Sequence, residues 1–215
     1  VLAKNAPPQI RTLSLAELLQ RQPRLAAAQA DRTPAEFHLT CIPWLLREAL
    51  AHIPRGALLT YVDANVFFFA SLDPVFEEIG EASIAILPYR FLPGLGSFER
   101  RGKFNPGWLS LRHDATGEAC AADWAEKCAD ACFELVEPSR FIHQKNLDAW
   151  TSQFPGTVSL THPGLLVGPW NLKEGALVAN KAGLRVNKRP LISYHFRDLV
   201  HVGQGLYDPG LQAFD

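Results

Sequence analysis

An apolar run of strand length, Leu58–Val62 (LLTYV), constrains the fold of this chain more than any other stretch. A strand that is apolar at successive positions, rather than at alternate ones, belongs to a sheet that is covered on both faces. Strand and helix patterns alternate along the rest of the chain, with no internal repeat and no linker. The sequence therefore predicts one α/β domain over residues 1–215, with a mostly parallel central sheet flanked by helices.

Local start signals place several of the helices. Ser14 followed by Glu17 has the pattern of a capping box, and Thr33 followed by Glu36 has the same pattern before a second helix. Pro43 lies inside that second helix and predicts a kink. The remaining pattern predicts helices at residues 73–79, 121–133 and 143–153, strands at 9–13, 83–87 and 108–111, short strands near the C-terminus, and a loop rich in glycine and charge at 91–103.

The composition argues against several classes of protein. The 215 residues carry a net charge of -1 and contain no basic run, so a nucleic-acid partner is not expected. No apolar window approaches the length of about 18 residues that a membrane-spanning helix needs. The four cysteines lack the paired spacing of a zinc site and are predicted to be buried thiols. These features favour a reducing, cytoplasmic setting, with peripheral contact to a membrane left open.

Asp63 and Asn65 follow the apolar run at the point where the strand ends. Ligands of α/β sheets gather at the carboxyl ends of strands, so both side chains are predicted to lie at the ligand edge. The alternative is that they end the strand by bonding the backbone of their own turn. The next aromatic residues, Phe67, Phe68 and Phe69, are predicted to pack in the core beneath this loop.

Five segments follow one another in a characteristic order: TYVDANVFFFASLDPVFEE, FNPGWLSLR, FIHQKNLDAW, HPGLLVGPWN and ISYHF. Together they resemble the bacterial nucleotide-diphospho-sugar transferases of the GT-A glycosyltransferase superfamily, over residues from about 31 to about 207. The segment from Tyr61 is similar to the block Y-L-D-A-D-x-x-F-F with its D-x-D motif, residues 105–107 to the N-x-G strand, and residues 141–150 to the block D-Q-K-Y-L-D-x-W. The resemblance implies a GT-A-like, Rossmann-like sheet. It also implies that the chain begins after the first strand and helix of the family and stops before the family's usual end.

The resemblance implies a divalent cation, Mn²⁺ or Mg²⁺, held at the end of the strand. Asp63 would be the first carboxylate ligand and His195 the histidine ligand, while Asn65 stands where the family has a second acid. An amide oxygen can ligate a metal but carries no charge, so the cation is expected to bind weakly. The plain alternative for His195 is a half-buried histidine on a short strand.

Two residues are implied beside the reacting sugar carbon. Gln144 matches the glutamine of the D-Q pair in related retaining galactosyltransferases, whereas His143 stands where the family usually has the acid. Histidine can exchange hydrogen bonds with a sugar near neutral pH, but it is not a permanent anion. The alternative for both residues is capping of a helix start. Trp150, farther along the same predicted helix, is predicted to be core.

Five more residues are candidates for binding the donor. Asn105 and Gly107 would present a polar group to the sugar, and Asn171 lies among glycine and proline turns that allow a close approach to a ligand. Arg32 and Arg90 are candidates for the phosphates, because guanidinium groups match phosphate oxygens. The alternative for Asn105 and Gly107 is a bulge at a strand start, and for Asn171 it is a turn pinned by a buried tryptophan. For Arg32 and Arg90 the alternative is that they are solvated surface arginines.

These features predict an enzyme, a metal-assisted and retaining glycosyltransferase. It would move a sugar from a UDP- or GDP-sugar to a saccharide or lipid-linked acceptor. Because Asn65 and His143 replace two acids of the family, the alternative is a catalytically degenerate homologue that binds a nucleotide sugar or glycan, or a partner protein. A metal-dependent phosphohydrolase is less favoured, since the carboxylates are scattered rather than clustered around two metals.

Overall fold

The computed structural model describes residues 9–133, 143–172, 177–181 and 183–210. The helices are α1 (Leu15–Arg21), α2 (Pro23–Ala28), α3 (Pro34–Leu50), α4 (Asp73–Ile79), α5 (Ala115–Asp130) and α6 (Trp150–Gln153). The strands are β1 (Leu58–Val62), β2 (Val66–Phe68), β3 (Ile84–Pro88), β4 (Phe104–Arg112), β5 (Thr157–Ser159), β6 (Val178–Asn180), β7 (Gly183–Val186), β8 (Arg189–Pro190), β9 (Ser193–His195), β10 (Val200–Gly203) and β11 (Leu206–Asp208). Short 3-10 helices span Gln29–Asp31, Gly96–Arg101 and His143–Ala149. The predicted α/β class is confirmed.

The largest sheet of the described residues is mixed and has the strand order β1-β4-β3-β5. Strand β4 runs antiparallel to both β1 and β3, while β3 and β5 are parallel. Strands β1, β3 and β5 therefore share one direction, and β4 opposes it. The prediction of a mostly parallel sheet needs correction for this reason. The connection from β3 to β4 contains only a 3-10 helix and returns directly, whereas parallel neighbours need a longer crossover.

Both faces of this sheet are covered, as the apolar run predicted. On one face, Ile84 and Ile86 of β3 pack against α3 and α5. On the other, Ala85 and Leu87 pack with α4 and with Ile192. Strand β1 lies at the edge of the described sheet and is half-buried throughout, but its alternate residues contact the two cores in turn. Strand β1, at the edge of the sheet, is thus held between the two layers that pack on its faces.

The helix starts agree with the sequence where a capping box marks them. Capping boxes form at Ser14 and at Thr33, as predicted. Helix α5 begins six residues before its predicted start, at Ala115, because Asp114 accepts a hydrogen bond from the backbone of Gly117. Residues 143–149 form a 3-10 helix and only the following turn is α-helical, where a single helix was predicted. Residues 9–13 form no strand and are mostly exposed, since no other strand pairs with them.

The prediction that Phe67, Phe68 and Phe69 are core is wrong. Their exposed fractions are 59%, 38% and 42%. Strand β2 has three residues and, within the described ranges, pairs with β9 alone in a separate two-stranded sheet, so its side chains are not enclosed by the main layers. Trp150 is fully buried, as predicted.

The cysteines are free thiols: Cys120, Cys128 and Cys132 are buried and Cys41 is half-buried, in agreement with the sequence. Among the helices of the described residues, none is both long and apolar enough to span a bilayer. Residues 1–8 and 211–215, on which the expectations about the chain ends depend, lie outside the described part, as do the first two residues of the segment 141–150.

Candidate functional site

A cavity of about 650 Å³ lies beside the carboxyl end of β1. Four separate segments contribute predicted site residues to its lining: the loop after β1, the start of β4, the 3-10 helix that begins at His143, and the end of β9. The predicted residues that line it are Asp63, Asn65, Asn105, His143, Gln144 and His195. The structure therefore brings together residues that are up to 132 positions apart in the chain.

Asp63 is at the centre of a hydrogen-bonded group. The hydroxyl of Tyr61 donates to its Oδ1 at 2.6 Å, and Nε2 of His195 lies 3.1 Å from its Oδ2. Burial would raise the pKa of Asp63, but the hydrogen bonds from His195 and Tyr61 outweigh it, so the pKa lies below the ordinary value. Because the carboxylate is ionised, it accepts and Nε2 of His195 donates. Both oxygens of Asp63 bond side chains rather than the backbone of their own turn.

Strand pairing explains why His195 reaches Asp63. Val66 of β2 is the register partner of His195, and the amide of Phe196 donates to the carbonyl of Asn65 at 2.8 Å. These bonds fix the segment after β9 against the loop after β1. His195 is 5% exposed, and the ring of Trp170 packs edge-on against it at a centroid distance of 5.3 Å.

Gly107 provides the space in which this pair sits. A Cβ atom at Gly107 would lie 3.0 Å from Oδ2 of Asp63 and 3.1 Å from Cδ2 of His195. Its carbonyl accepts from the amide of Asp63 at 3.2 Å, and its own amide donates to Oδ1 of Asn105 at 2.9 Å. Asn105 therefore shapes the strand start, which is the alternative that the sequence left open, and it also lines the cavity.

His143 is a buried and neutral histidine. Burial lowers its pKa to about 4, which exceeds the opposite effect of the Asp63 charge. Its ring stacks on Trp124, and its carbonyl accepts hydrogen bonds from Trp124 at 3.0 Å and from Asn146 at 3.2 Å. Within the described residues, Nδ1 of His143 has no hydrogen-bond partner. The side chain bonds no helix backbone there, so the capping alternative has no support for His143.

Gln144 is held by an aromatic residue that the sequence did not single out. The hydroxyl of Tyr89 donates to Oε1 of Gln144 at 3.2 Å. Asn171 does not line the cavity, but its Nδ2 donates to the carbonyl of Tyr89 at 3.1 Å and its Oδ1 accepts from Gly168. Asn171 thus fixes the turn that carries Trp170 against the end of β3.

Arg32 and Arg90 lie outside the cavity lining and bind backbone carbonyls. Arg32 donates to the carbonyl of Ala129 at 3.0 Å, and its guanidinium lies over the ring of Phe133. Arg90 donates to the carbonyls of His162 and Leu165 at 2.7 and 2.6 Å. Both side chains serve to join segments of the fold, which contrasts with the phosphate contacts predicted for them.

The cavity contains two arginines that sequence reasoning missed, Arg101 and Arg197. Arg101 belongs to the 3-10 helix in the loop at 91–103, and Arg197 comes two residues after His195. The charge-rich composition of the loop was visible, but its path to the cavity depends on the tertiary fold. Arg197 could have been identified from the sequence, because it lies two residues after His195, which was a predicted metal ligand.

The described residues do not complete a cation site. A cation could replace the proton between Asp63 and His195, and the amide oxygen of Asn65 would be a third ligand. Mn²⁺ and Mg²⁺ prefer about six ligands, mainly oxygens. Across the described ranges, no group of three or more His, Cys, Asp and Glu side chains is placed to hold a metal ion. The described part of the chain supplies one charged ligand to such a site.

Comparison with known proteins gives two relatives in Bacillus subtilis (strain 168). The chain is 29% identical over 188 residues to the uncharacterized protein YfnF, which covers 80% of this chain and 59% of YfnF. It is 24% identical over 177 residues to the uncharacterized protein YfnD, which covers 81% of this chain and 57% of YfnD. The chain thus spans less than two thirds of the length of these relatives. No family model matches the chain, and no solved structure matches it.

Proposed function

We propose that this protein is a glycosyltransferase with a GT-A-like fold, which binds a UDP- or GDP-sugar in the cavity beside β1 and transfers the sugar to a saccharide or lipid-linked acceptor. One observation carries the proposal. Six residues chosen from the ordered motifs, located on four separate segments, line the same cavity. If the motifs did not belong to a common site, their residues would be scattered over the surface.

The size and lining of the cavity suit such a ligand. A volume of about 650 Å³ is within the usual range for small-molecule sites, which is roughly 300–1,000 Å³. Its lining includes the aromatic residues Tyr61, Tyr89 and Trp170 and the polar residues Asn105 and Gln144. Aromatic surfaces pack against bases and sugar rings, while a few fixed polar groups set the orientation.

Each polar residue then has a role that follows from its contacts. Gln144, oriented by Tyr89, would lie beside the reacting sugar carbon. His143 would exchange a hydrogen bond with a sugar hydroxyl as a neutral ring, because its pKa is about 4. Asp63 would accept from hydroxyl groups of the donor as a fixed carboxylate, oriented by Tyr61 and His195. We propose retention of configuration, on the resemblance of the Gln144 segment to retaining galactosyltransferases.

A second candidate is a homologue that binds the nucleotide sugar without turnover. The observation that favours it is the neutral His143, which stands where related enzymes have an acid and cannot supply a negative charge at neutral pH. Both candidates share the binding site and differ only in catalysis.

Calorimetric titration with UDP, GDP and dTDP, with Mn²⁺ and without it, tests the shared site, with Asp63→Asn as the site variant. Asp123→Asn is the matched control, since Asp123 pairs with Lys127 on α5 and does not line the cavity. Binding of one nucleotide that weakens in Asp63→Asn alone supports the proposal, and absence of binding to all three would sink it. Release of nucleoside diphosphate from the matching sugar donor, followed by mass spectrometry, then separates the enzyme from the binder.

A further inference from the structure

We propose that Arg101 and Arg197 neutralise the diphosphate of the donor, so that the cavity binds a nucleoside diphosphate without a divalent cation. This inference rests on the proposed function and specifies how it is achieved. Its starting point is the disagreement between the implied metal and the few metal ligands that the described residues supply.

The charges of the cavity lining favour an anion. Among the described residues that line it, Asp63 is the single acid, whereas Arg101 and Arg197 contribute two guanidinium groups. Asp63 is also partly compensated by its hydrogen bond with His195. At neutral pH the lining residues within the described ranges are therefore net positive even with every histidine neutral. A concave surface of one sign concentrates its field and attracts ligands of the opposite sign.

Both arginines lie near the position that the leaving group would take. Both line the same cavity as Gln144 and Tyr89, and the side chain of Arg197 is a hydrogen-bond partner of the buried Tyr89 hydroxyl. That hydroxyl donates to Gln144, the residue proposed to lie by the reacting carbon. The diphosphate is bonded to this same carbon in a nucleotide sugar. Positive charge from the two arginines in this part of the cavity would stabilise the negative charge that develops as the glycosidic bond breaks.

Arg197 bonds the hydroxyl of Tyr89, but a guanidinium group has five N–H donors, so both arginines keep donors for a ligand. Arg101 makes no hydrogen bond or ion pair with the acids of the described ranges. Arg197 has a contact of 3.5 Å with its exposed sequence neighbour Asp198, and such surface pairs stabilise little. Arg32 and Arg90, in contrast, donate to backbone carbonyls. Guanidinium groups form paired hydrogen bonds with phosphate oxygens, so two of them suffice for a diphosphate.

The test is calorimetric titration of the full chain with UDP, GDP and inorganic pyrophosphate, in EDTA and again in Mn²⁺. The variants are Arg101→Gln and Arg197→Gln. The matched control is Arg100→Gln, which is exposed in the same 3-10 helix and does not line the cavity. We expect nucleotide binding in EDTA, weakened on the order of tenfold or more by each site variant and unchanged in the control. Thermal unfolding of each variant verifies that it is folded.

The outcomes separate this inference from the proposed function. Nucleotide binding that requires Mn²⁺, or binding in EDTA that both site variants retain, overturns the inference and leaves the proposed function standing. Pyrophosphate binding that depends on both arginines, without any nucleotide binding, supports the anion site and contradicts the proposed function. Absence of binding to all three probes overturns both.

Discussion

Gly107 has a role that depends on its lacking a side chain. Its backbone carries the hydrogen bonds that align Asp63 and Asn105, and the space a Cβ atom would fill is bounded by Asp63 and His195 at 3.0 and 3.1 Å. Real Cβ atoms rarely approach neighbours so closely, so one of these two side chains must shift. Gly107, which was selected as part of a sugar-binding motif, thus supports the site through its backbone hydrogen bonds and the space beside it.

Gly107→Ala should weaken nucleotide binding more than it destabilises the fold. Overpacking of this size typically costs about 1–3 kcal/mol, and here the displaced atoms belong to the binding group. Gly96→Ala is the control, because a Cβ atom there meets nothing within 4 Å and the backbone is not left-handed. The two measurements are the calorimetric affinity for nucleotide and the free energy of unfolding in urea, each for both variants. Equal affinity in wild type and Gly107→Ala would show that the Asp63–His195 pair is not part of the binding site.

His143 should make the protein sensitive to mild acid. Burial depresses its folded-state pKa to about 4, from an ordinary value of 6.5. The unfolded chain therefore binds a proton at higher pH than the folded one, so the contribution of His143 to stability is complete above pH 6.5 and is lost as pH falls through the folded value. Its full size is on the order of 3 kcal/mol.

Urea unfolding from pH 7 to pH 4.5 measures this effect, since most carboxyl groups titrate below that window. Wild type should lose stability across it, and His143→Gln should lose clearly less. His52→Gln is the control, because the side chain of His52 is 58% exposed. Parallel curves for wild type and His143→Gln would mean that His143 does not remain neutral in the folded protein.

At the scale of elements, helix α5 depends on one residue at its start. Asp114 accepts from the amide of Gly117 at 2.8 Å and from the hydroxyl of Ser83 at 2.7 Å, so it joins the helix to the start of β3. Burial would raise the pKa of Asp114, but the hydrogen bond from Gly117 and the others outweigh it, and the pKa is lowered. The carboxylate is therefore the form that caps α5 at neutral pH.

Asp114→Ala should lower the free energy of unfolding by about 1–2 kcal/mol, because a helix cap and a link to β3 are both lost. Asp123→Ala on the same helix removes a partly exposed pair with Lys127 and an exposed hydrogen bond from Gln153, and it should cost less, roughly 1 kcal/mol at most. Urea unfolding at pH 7 compares the two variants with wild type. Similar losses in both would show that the cap is not what anchors this end of α5.

Elements with local signals were predictable from the sequence, whereas those set by pairing were not. The capping boxes at Ser14 and Thr33 are local, and both form where predicted. The direction of β4 and the exposure of Phe67 depend on which strands pair across the chain, and no short-range pattern specifies that. The residues of the candidate site also divide into those with a local sequence signal and those placed by the tertiary fold. Motif residues were found in advance, while Arg101 reaches the cavity only through the path of an irregular loop.

At the scale of the whole molecule, the cavity is assembled from segments distant in sequence. Asp63, Asn105, Gln144 and His195 meet only when the sheet, the 3-10 helix and β9 are all in place. The five tryptophans, which are distributed over four hydrophobic clusters of the core, are each no more than 1% exposed. Trp170 contacts His195 directly, so the site and the core share a boundary. Site formation should therefore belong to the global folding transition.

Nucleotide binding and tryptophan fluorescence should accordingly be lost together as urea is increased. A ligand that binds only the folded state at about 100 times its Kd adds roughly 2.7 kcal/mol, so the fluorescence midpoint should also rise with nucleotide concentration. Urea titrations followed by fluorescence and by retention of labelled nucleotide test both statements. Loss of binding at a clearly lower urea concentration would mean that the segment carrying His195 opens independently. In that case β2 and β9, which form a small sheet of their own, would be the cooperative unit that controls the site.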